Sequence, residues 1–334
     1  MEKSIMNKKI IAAAVAATMT SVAFADISIT GAMKANYKNI DNNGTVTNKV
    51  TTEADLVVTG KTGDTEVRFE INSDSADSAS APGSDNLDIE DQWMATKVGD
   101  ARIQVGTWNG SDSIISADSD RTTGKWMIDQ TIAGVAIKVE GSNPETDSNG
   151  TATGGDAYNG QVSYTLSGTV AGNAVSAKVE NAQNQYKISG EYAGVNYAYH
   201  LLNADAANKD KSSIQLGTTI AGIGVEYVSA QADSSTSITG DSWFGDVTAL
   251  KTPMAADDDI AGVGLSTNIA GNKVVAKFFS MEDKSANKDV DHTKLIITRP
   301  LAGGTTLEVI YHDEDNATSS LDQETVDIEL AVKF

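Results

Sequence analysis

The feature that most restricts the fold is an apolar period of two, restarted again and again after short joints that contain glycine. Val67, Phe69 and Ile71 alternate with Arg68, Glu70 and Asn72, and Val135, Ile137 and Val139 alternate with Ala136, Lys138 and Glu140. Further along, Tyr197, Tyr199 and Leu201 alternate with Asn196, Ala198 and His200, and Leu307, Val309 and Tyr311 alternate with Glu308, Ile310 and His312. Side chains leave a strand on alternating sides, so each run presents one apolar and one mostly polar face. The joints recur as well. Ala-Gly follows an apolar strand end at Ala133-Gly134, Ala171-Gly172, Ala193-Gly194, Ala221-Gly222, Ala270-Gly271 and Ala302-Gly303, and Gly63-Asp64 and Gly99-Asp100 hold the same place earlier. Glycine supplies the positive φ that two-residue hairpin turns require, which makes these minimal connections. Ala261-Gly262 copies the dipeptide but falls inside a predicted strand.

Between the tight joints lie longer polar stretches, Ser73–Asn86, Asn143–Asp156, Gln231–Asp259 and Asp313–Asp322, rich in Asp, Ser, Thr, Asn and Gly. Hairpins with short connections at one end and long ones at the other are the layout of outer-membrane barrels, and a soluble sandwich has no reason to sort them so. Strands of about ten residues also suit a tilted crossing of a bilayer. The expected fold is all-β: a transmembrane antiparallel up-and-down β-barrel. Alternating tight turns and loops along the sequence give eighteen strands, or sixteen if one weak strand or loop is misassigned. Either number leaves room for an aqueous channel.

The N-terminus reads as a cleaved secretion signal over residues 1–25, with residues 26–334 as the barrel. Lys3, Lys8 and Lys9 precede the apolar run Ile10–Met19, and Ala23-Phe24-Ala25 supplies small residues at Ala23 and Ala25 before the cut. The run is shorter than the ~20 apolar residues of a spanning helix. Translation could start at Met1 or at Met6, since Met6-Asn-Lys-Lys opens a complete signal by itself. Export carries the chain through the periplasm. In hydrocarbon every backbone N–H and C=O must be paired, which leaves helices and closed barrels.

Composition removes several function classes. A formal charge of −21 argues against nucleic acid as a partner, which calls for a basic face. With no cysteine, the exported chain is held without disulfides. His200, His292 and His312 lie far apart in the sequence and read as plain strand residues without metal-ligand spacing. No G-x-S-x-G motif occurs, and no enzymatic activity is expected. No cofactor is expected either, although acidic outer loops such as Asp257-Asp258-Asp259 could hold Ca²⁺ or Mg²⁺ through oxygen ligands.

The C-terminus adds the most specific signal. Val326, Ile328, Leu330, Val332 and Phe334 share one face of a strand that ends at Phe334, opposite Thr325, Asp327, Glu329, Ala331 and Lys333. An apolar ladder closing on a terminal Phe resembles the signal read by outer-membrane assembly machinery, which places Leu330, Val332 and Phe334 in that role. Gln92–Thr107, with Gly99-Asp100 at its turn and Gly106 near its end, resembles a strand–turn–strand signature of the Gram-negative general trimeric porins. Ala54–Glu70 is similar to their preceding hairpin. The segment lacks the family's Phe-Gly after the turn and the Arg after the final Gly.

That resemblance implies a homotrimer in contact with outer-membrane lipid and lipopolysaccharide, passing small hydrophilic solutes and ions by passive diffusion. With the apolar face toward lipid, alternation sends Lys34, Lys38, Arg68 and Arg102 into the lumen as a basic wall, with Glu53, Asp55, Glu70 and Glu90 among them, followed further round by Lys125, Lys138, Lys178, Lys187 and Lys333. In the resembled family the third outer loop narrows the barrel. Here that loop is 109–124, whose Asp112, Asp118 and Asp120 would face the basic wall and set up a transverse field. Two other readings remain open at this stage. One is a secreted or surface-layer structural or adhesive β-protein, for which Ser/Thr/Asp-rich loops would suit. The other is a substrate-specific outer-membrane channel, for which a line of inward aromatic residues would be expected.

Overall fold

The computed structural model describes residues 26–75, 85–109, 121–142, 162–180, 183–204, 210–232, 259–283, 288–316 and 322–334. The signal residues Ala23 and Ala25 lie outside them, as do Asp112, Asp118 and Asp120. Among the described residues the chain is almost entirely strand: β1 (Asp26–Asn42), β2 (Thr45–Thr62), β3 (Thr65–Ser75), β4 (Asp85–Val98), β5 (Ala101–Asn109), β6 (Arg121–Ile132), β7 (Val135–Ser142), β8 (Val162–Val170) and β9 (Asn173–Glu180). The second half continues with β10 (Gln183–Tyr192), β11 (Val195–Ala204), β12 (Lys211–Ile220), β13 (Ile223–Ala232), β14 (Asp259–Ile269), β15 (Asn272–Asp283), β16 (Lys288–Pro300), β17 (Thr305–Asn316) and β18 (Gln323–Lys333). Each strand pairs antiparallel with its neighbours in the sequence, and β1 also pairs with β18, so the 18-stranded sheet closes on itself. Eighteen is the upper of the two expected strand numbers. Among the described residues no helix is long and apolar enough to cross a membrane.

The closing seam is built at its end by a glycine. Gly31 N–H donates to the Phe334 carbonyl at 2.8 Å, and Phe334 N–H donates to the Gly31 carbonyl at 3.0 Å. A Cβ on Gly31 would lie 2.6 Å from the Phe334 ring, so the bare Cα of Gly31 is the seat on which the terminal ring rests. The register above the seat runs without a break from Ala32↔Lys333 to Asn42↔Gln323.

The Ala-Gly joints behave as two-residue turns in which both central residues take positive φ. Ala133, Ala171, Ala193, Ala221 and Ala270 have φ of 50–52°, each followed by a glycine at 79–84°. That is the turn whose twist matches the flanking strands. Ala302-Gly303 differs: it sits in a short 3-10 turn with positive φ at Gly303 and Gly304, closed by Leu301 N–H donating to the Thr305 carbonyl. Ala261-Gly262 lies within β14, as its position in the pattern predicts. The sorting of connections is less strict than the sequence suggests, since β1 and β2 are joined at the long-loop end by Asn43-Gly44 alone.

Alternation places the apolar set outside. Ile29, Met33, Tyr37, Val50, Leu56, Val67, Met94, Tyr164, Leu166, Tyr199, Ile214, Phe278, Ile328 and Leu330 are all exposed on the outer face. The inward set includes buried polar side chains from most strands, such as Asn72, Gln104, Lys125, Thr165, Lys178, Gln185, Ser213, Lys277 and Glu314. This reverses the usual arrangement of a globular core. A water-soluble protein rarely keeps so continuous an apolar exterior.

Candidate functional site

The inner wall divides into two sectors of different chemistry. Over β1–β9 it is a lattice of charge pairs. Lys34 and Glu53 meet at 3.1 Å, Arg68 Nη2 donates to Glu70 at 2.6 Å, and Arg68 Nε stands 3.1 Å from Asp91. A bulge makes the double pairing of Arg68 possible. The β3–β4 register shifts between Phe69 and Ile71, so Glu90 and Asp91 together oppose Glu70. A bulge turns two consecutive residues against one, and here it puts an extra carboxylate on the inner face. Asn72 donates to Asp55 at 2.7 Å and to Glu53 at 3.3 Å. Carboxylate oxygens of Asp55, Glu70 and Glu90 all lie within 4.8 Å of one another, a spacing that oxygen-ligated divalent ions accept, although acidic groups often stand so without one.

The lattice continues along one register row, Arg102↔Asp129↔Lys138↔Thr165↔Lys178↔Gln185. Arg102 lies 3.6 Å from Asp129, and Lys138 lies 3.0 Å from Glu140. Lys178 is buried between Glu180 at 3.1 Å and Glu140 at 4.0 Å. Two tryptophans stand among these charges. Arg102 lies 5.6 Å over the Trp93 ring, and Lys125 lies 5.6 Å over the Trp108 ring, within cation–π range. Between them Gly106 has φ +141°, and a Cβ there would fall 2.6 Å from the Trp93 Cα, so only glycine lets β4 and β5 approach this closely.

Over β13–β16 the inner wall carries a buried apolar band beside the inward Lys277, His292 and Lys294. Val228 and Ala230, Ile260, Phe279 and Met281, and Val290 are each buried, on four successive strands. Gly262, the cross-strand partner of Phe279, leaves the space that the Phe279 side chain fills, since a Cβ there would sit 2.5 Å from the Phe279 Cβ. Phe279 stacks on His292 with ring centroids 4.5 Å apart and planes at 14°. His292 Nδ1 in turn lies 3.2 Å from His312 Nε2.

Lys34, Lys38, Arg68 and Arg102 all fall on the inward parity and so belong to the inner wall, but three of them are ion-paired there, and Lys38 faces Asp327 across the β1–β18 register. The cations of this wall thus stand among the inward carboxylates that the alternation also places there. The acidic partners expected from Asp112, Asp118 and Asp120 lie outside the described residues. Leu330 and Val332 project outward with Phe334 at the seam.

One expectation needs correction. His292 and His312, read as separate plain strand residues, are brought into direct contact. Their strands flank the 301–304 turn, and Lys294, two residues from His292, is the register partner of His312. The signal was the shared inward parity of both residues about one turn. Inward aromatic residues among the described residues include Trp93, Trp108 and Phe279.

No protein-family model matches the chain, and no curated protein is similar to it in sequence. Solved structures are similar in fold. OccAB4 of Acinetobacter baumannii superposes with a TM-score of 0.70 at 11% identity, covering 92% of this chain and 98% of that one. OpdK of Pseudomonas aeruginosa, solved with vanillate, gives 0.68 at 9% identity with coverage of 92% and 98%. A BenF-like porin from Pseudomonas fluorescens gives 0.68 at 11% identity with coverage of 93% and 98%. At these identities the likeness is one of fold, and it makes this chain a closed 18-stranded antiparallel barrel of the architecture found in those proteins.

Proposed function

We propose that the chain is an outer-membrane porin, a water-filled channel through which small hydrophilic solutes and ions diffuse passively. The observation that carries this reading is the inversion of the closed barrel, apolar side chains exposed outside and charged side chains lining the inside. Lipid is the solvent that favours such an exterior, and water favours such an interior. The fold shared with OccAB4, OpdK and the BenF-like porin supports it. The surface-layer or adhesive alternative is disfavoured by the same exterior. Cleavage after Ala25, recognition of Leu330, Val332 and Phe334 by the assembly machinery, contact with lipopolysaccharide and assembly as a homotrimer complete the proposal.

A second reading, a substrate-specific channel, is favoured by the inward Trp93 and Phe279 and by the division of the wall into unlike sectors. Purified protein in planar bilayers should give discrete conductance steps in KCl, and the mature chain should fractionate with the outer membrane. Conductance blocked by one solute class would select the second reading. Recovery of a folded, water-soluble chain without detergent would overturn both.

A further inference from the structure

We propose that His292 and His312 form a proton-dependent selectivity element of the channel: in contact they hold at most one positive charge, and a second proton separates them and makes this part of the inner wall more anion-attracting. The inference rests on the channel reading above.

The geometry is that of a hydrogen bond between rings. The nitrogens are 3.2 Å apart and the centroids 5.4 Å apart, with planes at 15°. The centroid distance exceeds the nitrogen distance by about two ring radii, so the two nitrogens meet edge to edge along the line of centres. One nitrogen must donate and the other accept. A doubly protonated pair has only donors, so the contact cannot survive it. Both rings are buried, and His292 Nε2, on the far side of its ring, has no hydrogen-bond partner among the described residues. Phe279 stacked on His292 holds that ring in place.

The surroundings decide what a second charge does. On β15, Phe279 stands opposite His292 and Lys277 opposite Lys294. On β16 and β17, Lys294 is the partner of His312, and Glu314 is the partner of His292. On β18, Thr325 faces His312, and beyond it Asp327 pairs in register with Lys38 of β1. Lysines from three strands thus frame the pair against two carboxylates. A second imidazolium joins a group that is already cationic, which raises the local potential and attracts anions.

Reversal potentials across a KCl gradient test the selectivity role, comparing the wild type with His292→Gln and His312→Gln, which keep a donor and an acceptor but cannot gain charge. Between about pH 7.5 and about pH 3, the chloride-to-potassium permeability ratio of the wild type should rise roughly twofold or more beyond the rise seen in each variant. Carboxylates of the wall titrate in all three proteins, so an equal shift in all of them overturns the proposal. A second measurement does not need conductance. In ¹⁵N-histidine spectra of the folded barrel in detergent, the two imidazoles should take up protons in two separate steps, with a single step for the remaining ring in each variant. Simultaneous protonation in the wild type overturns the contact. Absence of conductance at both pH values fails the channel reading and the selectivity role with it, and the imidazole spectra still decide the contact.

Discussion

The inner wall of β1–β9 and the inner wall of β13–β17 are folded by the same hairpins, yet one is tied together by charge pairs and the other sets an apolar band beside a histidine pair, Lys277, Lys294 and Glu314. On the outside no such divergence occurs, because every strand there meets the same demand for apolar side chains. The difference shows where a barrel of this kind has chemical freedom. Backbone ladders and the outer face define the cylinder, and the inward parity can then be written in either chemistry. The two sectors also differ in what they give to stability. Half-exposed ion pairs such as Lys34–Glu53 contribute about 0–1 kcal/mol each, whereas a fully buried Val or Met side chain contributes about 1.5–3 kcal/mol.

The harshest way to break the comparison is to write one sector's chemistry into the other. Val228 is 0% exposed between Gln215 of β12 and Gly262 of β14. Val228→Asp would bury a carboxylate where the register neighbours offer no cation, a cost of several kcal/mol unless the group takes up a proton. The expected result is near-complete loss of the heat-modifiable folded band on unboiled gels, while Thr165→Asp, beside Lys138 and Lys178 in the charged row, retains it. Equal tolerance of the two substitutions would show that the sectors do not differ as described.

The seam where β18 meets β1 joins the two sectors, and its weak point is Gly31. A Cβ there would strike the Phe334 ring, so Gly31→Val forces the ring off its seat and crowds the terminal hydrogen bonds, with an expected cost of about 1–3 kcal/mol. Lower assembled yield at unchanged single-channel conductance is the predicted outcome, read from the folded fraction in the outer membrane. Phe334→Ala in the same background should add little further loss, because the two residues make one contact.

These features were not equally visible in the sequence. Strand number, turn positions and the inward parity of Lys34, Lys38, Arg68 and Arg102 follow from local alternation, which needs no knowledge of pairing. Asn43-Gly44 carries the strongest hairpin dipeptide and could have marked the short connection between β1 and β2. The apolar sector was hidden because both faces of β13–β15 are rich in small and apolar residues, so alternation there loses contrast. The contact between His292 and His312 needs the register across the 301–304 turn, and the doubled carboxylates at Glu90 and Asp91 need a bulge that no residue type announces. The inward carboxylates Glu53, Asp55, Glu70 and Glu90 were legible by the same parity as the cations. Which cation each stands beside was not, because that needs the register and the side-chain contacts.

Arg68 sharpens that last point. Its guanidinium serves Glu70 and Asp91 at once, with a third of the Arg68 side chain exposed and both acids more covered. Arg68→Gln removes the shared cation from a neighbourhood that also holds Asp55 and Glu90. After allowance for solvent screening the stability loss should be about 1–2 kcal/mol. The larger readout is selectivity: the potassium-to-chloride permeability ratio should rise clearly, and more at low than at high salt. An unchanged ratio would place this cluster outside the ion path.

The smallest expected effect separates structural from conductive roles of the charged sector. Lys34 and Glu53 are both more than a third exposed, so their pair is screened by water and contributes little to holding β1 against β2, whose register runs without interruption from Asp26 to Asn42. Lys34→Gln should therefore leave the unfolding temperature in detergent within a degree or two, a shift smaller than about 0.5 kcal/mol. Glu53 would still accept from Asn72, so its carboxylate keeps a partner. What changes is the field, since one positive charge leaves the wall while the Glu53 carboxylate stays. A small rise in cation preference without a change in stability is the expected pairing of results. If Lys34→Gln instead destabilises as much as Gly31→Val, the ion pairs of β1–β9 carry the barrel, and the contrast with β13–β17 is one of residue type rather than of role.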